Sequence, residues 1–210
     1  MKKDTILIAI IAVLVGVIGG YAVANYSWHG PMGFNRDFDD MPMGMYGADG
    51  RWDEDDVYGH MGHMMGMAVA SEKDFLEGMI PHHQEAVDTA KEVIERGGST
   101  PEIKALVEGI VVAQEKEIAD MKTWYGAWYG APYVDNGKYE PMMRELENLS
   151  GAALDKAFLE DMIMHHMGAI MMARSVAPYV EHDEIKNLTQ AIVTTQSEEI
   201  LEMRRMLSGL

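Results

Sequence analysis

Hydrophobic positions recur every three to four residues from about Ser71 to the end of the chain, which is the period of an amphipathic α-helix. No convincing strand pattern interrupts this period. The pattern therefore predicts four helices, with approximate bounds 71–95, 102–125, 150–177 and 183–207.

Local signals agree with these helix boundaries. Ser71 begins a variant of the capping box, and the Gly- and Pro-containing run 97–101 separates the first helix from the second. The segment 124–132 contains a tandem Trp-Tyr-Gly-Ala and is expected to end the second helix and begin a connector. Pro81 lies well inside the first helix and is expected to kink it by freeing the carbonyl of Glu77.

The second pair of helices repeats the first pair. Residues 75–83 read Phe-Leu-Glu-Gly-Met-Ile-Pro-His-His, and residues 158–166 read Phe-Leu-Glu-Asp-Met-Ile-Met-His-His. Segments 114–121 and 196–203 share Gln, Glu, Ile and Met at matching positions. The chain therefore contains two copies of one helical hairpin, which we place at about 71–125 and 150–207.

A single helical hairpin leaves its apolar face uncovered, so two copies predict an all-α four-helix bundle. We assign residues 69–210 to this bundle. Residues 25–68 precede it and are rich in Gly, Met, His and Asp without a helical or strand period, which favours a flexible linker. The linker contains a Met/His cluster that could capture metal loosely or simply be a spacer: His60, His63, Met64 and Met65.

The start of the chain has the pattern of a membrane helix. Two lysines precede an uncharged run from Thr5 to about Ala24, which is long enough to cross a hydrocarbon layer of about 30 Å. We favour residues 1–24 as a transmembrane anchor with the rest of the chain outside the cytoplasm. Residues 22–24 also form an acceptable cleavage site, so a signal peptide cut after Ala24 stays open. Either alternative places the bundle in the periplasm or at the cell surface.

Composition narrows the function. The formal net charge of −17 excludes the basic footprint that nucleic-acid binding needs, and it suits a protein that attracts cations. The chain has no cysteine, so neither disulfides nor thiolate metal sites can form, yet it has 20 methionines.

Polar residues fall on the stripes that should form the core. Met79 and His83 share the apolar face of the first helix with His82 on its shoulder, and Gln114 and Glu117 lie on or beside the core face of the second. In an antiparallel hairpin the numbers of level residues sum to a constant, here about 196 in the first copy and about 361 in the second. This register predicts Met level with Glu and the first His level with Gln in both copies.

Imidazole and thioether without thiolate form a soft to borderline ligand set, which favours Cu(I), with Ag(I) as a surrogate. The predicted ligands are Met79, His82 or His83, and Met121 in the first copy, and Met162, His165 or His166, and Met203 in the second. The amide and carboxylate side chains are expected to orient the imidazoles by accepting their other N–H: Gln114, Glu117, Gln196 and Glu199.

Two other functions were weighed. A buried methionine is ordinarily a core filler, so the polar groups could form a metal-free layer in a structural or interaction bundle. A di-iron oxidase would need Glu-x-x-His motifs. None occurs in the sequence, so we expect a binding protein rather than an enzyme.

The motif Phe75-Leu-x-x-Met79-Ile-Pro-His82-His83, followed by Gln114-x-x-Glu-Ile-x-x-Met121, resembles the signature of the domain-of-unknown-function-305 family. The resemblance spans about 71–207. It implies a ferritin-like four-helix bundle, and it implies kinship with exported members that bind copper or silver through Met and His and contribute to copper tolerance. The second copy departs from the motif at Met164, Met167 and Gly168, so the resemblance carries over less securely there.

Overall fold

A computed structural model describes residues 68–210. That part of the chain contains four α-helices, one short 3-10 turn and no β-strand, which confirms the all-helical prediction. The elements are α1 (Glu72–Arg96), α2 (Pro101–Tyr129), α3 (Gly151–Val176), the 3-10 turn (Ala177–Tyr179) and α4 (Asp183–Leu207).

The predictions for residues 1–24 and for nearly all of the linker 25–68 lie outside the described residues. They include the membrane or signal segment and the Met/His cluster at His60, His63, Met64 and Met65. No helix between residues 68 and 210 is both long enough and apolar enough to cross a membrane.

Side-chain caps begin the first two helices. The Ser71 hydroxyl accepts the N–H of Asp74 at 3.0 Å, as the capping pattern predicts. Thr100 caps α2 in the same way through the N–H of Ile103, at 3.2 Å. α1 runs unbroken through Pro81.

Segment 124–132 ends the second helix as predicted, but the predicted last residue, Tyr125, was four residues too early. α2 continues to Tyr129, and Gly130 ends it in the left-handed region at φ 71°. Trp124 and Trp128 are one helical turn apart, and their rings stack with centroids 5.9 Å apart. Both tryptophans pack against the apolar core, and this packing outweighs the interruption by glycine.

The helices pack as two hairpins, α1 on α2 and α3 on α4, which meet mainly along α1 and α3. A layer of histidines divides the core into two apolar clusters. Cluster A contains the C-terminal half of α1 and the N-terminal half of α3, and its largest members include Ile103, Ile110, Leu154, Phe158 and Met162. Cluster B contains the opposite halves, and its largest members include Phe75, Leu76, Met79, Met121 and Ile185.

Two buried carboxylates tie each hairpin to the turn of the other. Glu72 accepts the N–H groups of Glu181 and His182 at 2.7 and 2.8 Å. Asp155, its counterpart in the repeat, accepts the N–H groups of Gly98 and Ser99 at 2.8 Å each. These bonds satisfy backbone donors beside the first turns of α4 and α2, and they hold the two hairpins in register.

Candidate metal centre

Four histidines form one layer in the middle of the bundle. α1 supplies His82 and His83, and α3 supplies His165 and His166; none is more than 1 % exposed. The rings of His82 and His165 pack against each other with centroids 3.7 Å apart and planes tilted by 36°. His83 and His166 flank them, 6.1 and 6.4 Å from their sequence neighbours. The two His-His pairs were predicted in separate hairpins, and the structure brings them together.

The outer histidines each contact a carboxylate from the partner helix of their own hairpin. His83 Nε2 lies 2.8 Å from Glu117 Oε2, and His166 Nε2 lies 2.7 Å from Glu199 Oε2. A carboxylate accepts the Nε2–H and so leaves the lone pair on Nδ1. Both Nδ1 atoms are buried without a hydrogen-bond partner among residues 68–210.

These contacts correct the predicted register by one helical turn. The level pair His83 and Glu117 has residue numbers that sum to 200 rather than about 196. The pair His166 and Glu199 sums to 365 rather than about 361. A helical side chain points toward the N-terminus of its own helix. Two side chains that meet across an antiparallel pair therefore come from residues with higher numbers than the two Cα atoms at that level, and the sum of their numbers is larger. Core-facing positions recur only every three or four residues, so the shift amounts to a whole turn.

The corrected register places the methionines opposite one another. Met79 is level with Met121, and Met162 is level with Met203, in each case one turn from a His–Glu pair. All four are 0 % exposed. Met79 and Met121 belong to cluster B, and Met162 and Met203 belong to cluster A. Each half of the bundle therefore has two thioethers one turn from an imidazole whose Nδ1 has no partner among residues 68–210.

The register also relates the two buried glutamines to the histidines. In the corrected register Gln114 is level with Ala86, and Gln196 is level with Ala169, so neither is level with a histidine. Both are nearly fully buried, and their Oε1 atoms have no hydrogen-bond partner within the described part of the chain.

Sequence reasoning missed Glu85, which is the hub of a third set of contacts. Its Oε2 lies 3.2 Å from His165 Nε2, within ion-pair range but without the alignment of a hydrogen bond. The Tyr139 hydroxyl donates to the same oxygen at 2.5 Å, and the N–H groups of Met142 and Met143 donate to Oε1 at 2.9 Å. Burial raises the pKa of Glu85, but its contacts with His165 and Tyr139 outweigh burial and lower it.

Glu85 breaks the symmetry of the repeat. Its counterpart in the second copy is Gly168, so that position supplies no carboxylate to His82. Neither ring nitrogen of His82 has a hydrogen-bond partner in residues 68–210, and the imidazole and the Tyr139 ring form a T-shaped pair with centroids 5.9 Å apart. Burial, followed by the charges of the neighbouring histidines, holds the pKa of His82 well below its usual value. Burial also lowers the pKa of His165, although Glu85 opposes the shift.

Most of the unpaired buried polar atoms within residues 68–210 belong to the four histidines. Leaving a buried donor or acceptor unsatisfied costs about 1–3 kcal/mol. The described residues contain eight such side-chain atoms: both ring nitrogens of His82 and of His165, Nδ1 of His83 and of His166, and Oε1 of Gln114 and of Gln196. Neutral imidazole nitrogens are metal ligands, so the residues present fit a metal ion.

The same part of the chain contains no group of three or more His, Cys, Asp and Glu side chains arranged to hold an ion. That set of residue types leaves out methionine. Each half of the bundle has two buried methionines one helical turn from a His–Glu pair.

Comparisons with known proteins agree with the fold and with the motif. The structure is similar to that of CopM in its Cu(I)-bound form, with 33% sequence identity and a TM-score of 0.62 over 67% of this chain and 98% of that one. Structures of CopM in Ag-bound and Cu(II)-bound forms match to a similar degree. A DUF305 fragment from Deinococcus radiodurans is 28% identical, with a TM-score of 0.59 over 68% of this chain and 99% of that one.

A curated relative, an uncharacterized protein of Acanthamoeba polyphaga mimivirus, is 38% identical over 56 residues. The match covers 27% of this chain and 36% of that protein, so this chain spans about a third of its length. The family described as "Domain of unknown function (DUF305)" matches residues 53–125 and 72–207. Together these matches cover most of the chain and both copies of the repeat, and the protein belongs to the DUF305 family.

Proposed function

We propose that this protein binds a soft metal ion, Cu(I), with Ag(I) as a surrogate, and serves outside the cytoplasm in copper buffering, chaperoning or tolerance. One observation carries the proposal. In each half of the bundle a carboxylate orients a buried imidazole that lies one turn from two buried methionines. The Nδ1 atom of that imidazole has no hydrogen-bond partner among the described residues.

The donor set decides the metal. Thioethers select Cu(I) over harder ions, and imidazole also suits copper. In the first half of the bundle we assign Met79, Met121 and His83 Nδ1 as ligands, while Glu117 holds the His83 ring in the required tautomer. Structural zinc sites normally use cysteine or several histidines. The CopM structures, which contain Cu(I) and Ag in a similar fold, support this choice.

The second half would bind a second ion through Met162, Met203 and His166 Nδ1, oriented by Glu199. His82 and His165 lie between the two halves, and their ring nitrogens have no hydrogen-bond partner within residues 68–210. We assign them as additional imidazoles through which an ion can exchange between the halves. The Glu85 contact makes the two halves inequivalent, so we expect two different affinities.

We propose binding rather than catalysis. Dinuclear oxidases in helical bundles draw on Glu-x-x-His motifs, and the sequence contains none. The N-terminal segment supports a location outside the cytoplasm, anchored through residues 1–24 or released after cleavage. The net charge of −17 favours the approach of cations in either case.

The bundle can be tested on its own. Both apolar clusters lie between residues 68 and 210, and the solved CopM chain is matched over 98% of its length by 67% of this chain. A chain of bundle length therefore folds without a preceding segment, so residues 68–210 are a suitable fragment.

The test is an anaerobic titration of this fragment with Cu(I) against a competing chelator. We expect sub-nanomolar binding that is lost in a His83→Ala/His166→Ala double variant. His182→Ala is the matched control, since His182 is a histidine outside the central layer, and it should bind copper as the wild type does. Wild-type affinity no higher than that of the double variant would contradict the proposal and favour a metal-free polar layer.

A further inference from the structure

Three methionines lie along the outer face of α3 and not in the core. Met164, Met167 and Met171 are spaced at i, i+3 and i+7, which places them within about 60° of one another around the helix. Met171 is 40 % exposed, and the other two are partly exposed. We call these three residues the outer methionine stripe. Only Met167 also touches the edge of cluster A, so core packing does not account for the stripe.

The repeat supplies an internal comparison. At the three corresponding positions of α1 the chain has Pro81, Gln84 and Asp88. The two helices share the same buried motif and occupy equivalent positions in their hairpins, so the repeated fold does not require methionine on this face. The second copy of the hairpin alone has it. A group of partly exposed thioethers on one helix face can bind a soft metal ion.

The spacing suits a soft ion. Residues three or four apart on a helix have Cβ atoms about 5–6 Å apart, and the three flexible bonds of methionine let neighbouring sulfurs approach further. An ion held by two metal–sulfur bonds of about 2.3 Å spans a gap of about 4.6 Å between sulfurs. Met167 can form such a pair with Met164 on one side or with Met171 on the other. Cu(I) and its surrogate Ag(I) are the ions that thioethers select.

The stripe lies at the same level along α3 as the buried histidine layer. Met164 directly precedes His165, whose ring contacts Glu85. The same carboxylate holds the backbone of the connector residues Met142 and Met143, both partly exposed. The outer methionine stripe and the two connector methionines therefore lie at the level of the histidine layer along α3.

We propose that the outer methionine stripe is a second, solvent-accessible Cu(I) site that captures the ion and passes it to the histidine layer at His165. Capture by the stripe is independent of the buried centre. Only the transfer step rests on the proposed function. The transfer changes ligands without changing the oxidation state of copper, so it needs no redox partner.

The test follows the methionine methyl groups of fragment 68–210 by NMR, with 13C in every methionine methyl, during titration with Ag(I). The fragment has eleven methionines, and their signals are assigned by single Met→Leu substitutions. We expect the stripe methyls to shift with the first additions of Ag(I). In a M164L/M167L/M171L variant we expect one fewer Ag(I) bound and loading of the buried centre at least tenfold slower. M206L, a partly buried methionine on α4, is the matched control and should leave both quantities unchanged.

The outcomes separate this proposal from the proposed function. Stripe methyls that still shift in the His83→Ala/His166→Ala variant support capture even if that variant shows no buried site. If the buried Met79 and Met162 methyls shift while the stripe methyls stay unmoved, the capture site is overturned and the buried centre stands. Equal loading rates in the wild type and in the triple variant would overturn the transfer step. The single M171L variant repeats the test at the most exposed position, should the triple variant fold poorly.

Discussion

Acidification should destabilise the metal-free bundle through His82. Its pKa is held well below its usual value because burial and the neighbouring histidines oppose the cation. The unfolded chain instead takes up a proton near the reference value of about 6.5. Below that pH the unfolded state binds more protons than the folded state, so the free energy of unfolding falls as the pH falls.

The size of the effect follows from this difference in proton binding. One histidine that stays neutral in the fold costs about 1.4 kcal/mol per pH unit below its unfolded pKa, or about 2 kcal/mol between pH 7.5 and pH 5. His165 adds a smaller amount, because Glu85 opposes the lowering of its pKa. The pKa values of Glu72 and Glu85 are lowered from 4.5, so their stabilisation is lost only at lower pH. The window from pH 7.5 to pH 5 therefore isolates the histidines.

The assay is urea unfolding of metal-free fragment 68–210, followed by circular dichroism at half-unit steps from pH 8 to pH 5. His82→Phe keeps a ring against His165 but cannot take up a proton. The slope of its free energy of unfolding against pH should therefore correspond to about one proton fewer than in the wild type. The difference between the two proteins at pH 8 measures the change in packing alone. A wild-type curve that is flat down to pH 5, or an unchanged slope in the variant, would refute the reasoning.

Three further predictions concern single side chains. Glu117→Gln should weaken Cu(I) binding by about 10–100-fold, because it disturbs the orientation of His83; Glu115→Gln, an exposed residue on the same helix, should leave binding unchanged in the same chelator competition. Asp155→Ala should lower the free energy of unfolding in urea by about 3–5 kcal/mol, because it leaves two backbone N–H groups in the turn of the first hairpin without an acceptor. A loss below 1 kcal/mol would contradict the claim that these bonds hold the hairpins in register. Tyr139→Phe should lower stability by about 1 kcal/mol, because it removes a hydroxyl donor from a charge-assisted bond; no change by thermal unfolding would contradict this.

The repeat made much of the fold predictable. Helical period, caps and two copies of one motif predicted four helices, and three of their four ends lie within a residue of the predicted positions. The fourth, the end of α2, was missed because the packing of Trp124 and Trp128 stabilises the helix more than the low helix propensity of Gly126 destabilises it. Such a balance depends on tertiary contacts, which the local pattern does not contain.

The site was predictable in composition but not in arrangement. The sequence predicted the buried histidines and Glu117 and Glu199, yet the predicted register was wrong by one turn. Counting residues gives the level of the Cα atoms, whereas the side chains that meet point toward the N-terminus of their own helix. Glu85 was missed because its hydrogen-bond donors come from the connector, where no helical pattern of hydrophobic residues predicts which side chains meet. The one available signal was its replacement by Gly168 in the second copy.

The central claim is that each half of the bundle holds a soft ion between two methionines and one histidine. Crystals of the Cu(I)-loaded fragment, measured with X-rays just above and just below the copper absorption edge, test it most directly. We predict anomalous peaks within about 2.5 Å of His83 Nδ1 and of His166 Nδ1, each also in contact with the sulfurs of its methionine pair. Peaks confined to the protein surface, with the histidine layer unliganded, would contradict the account.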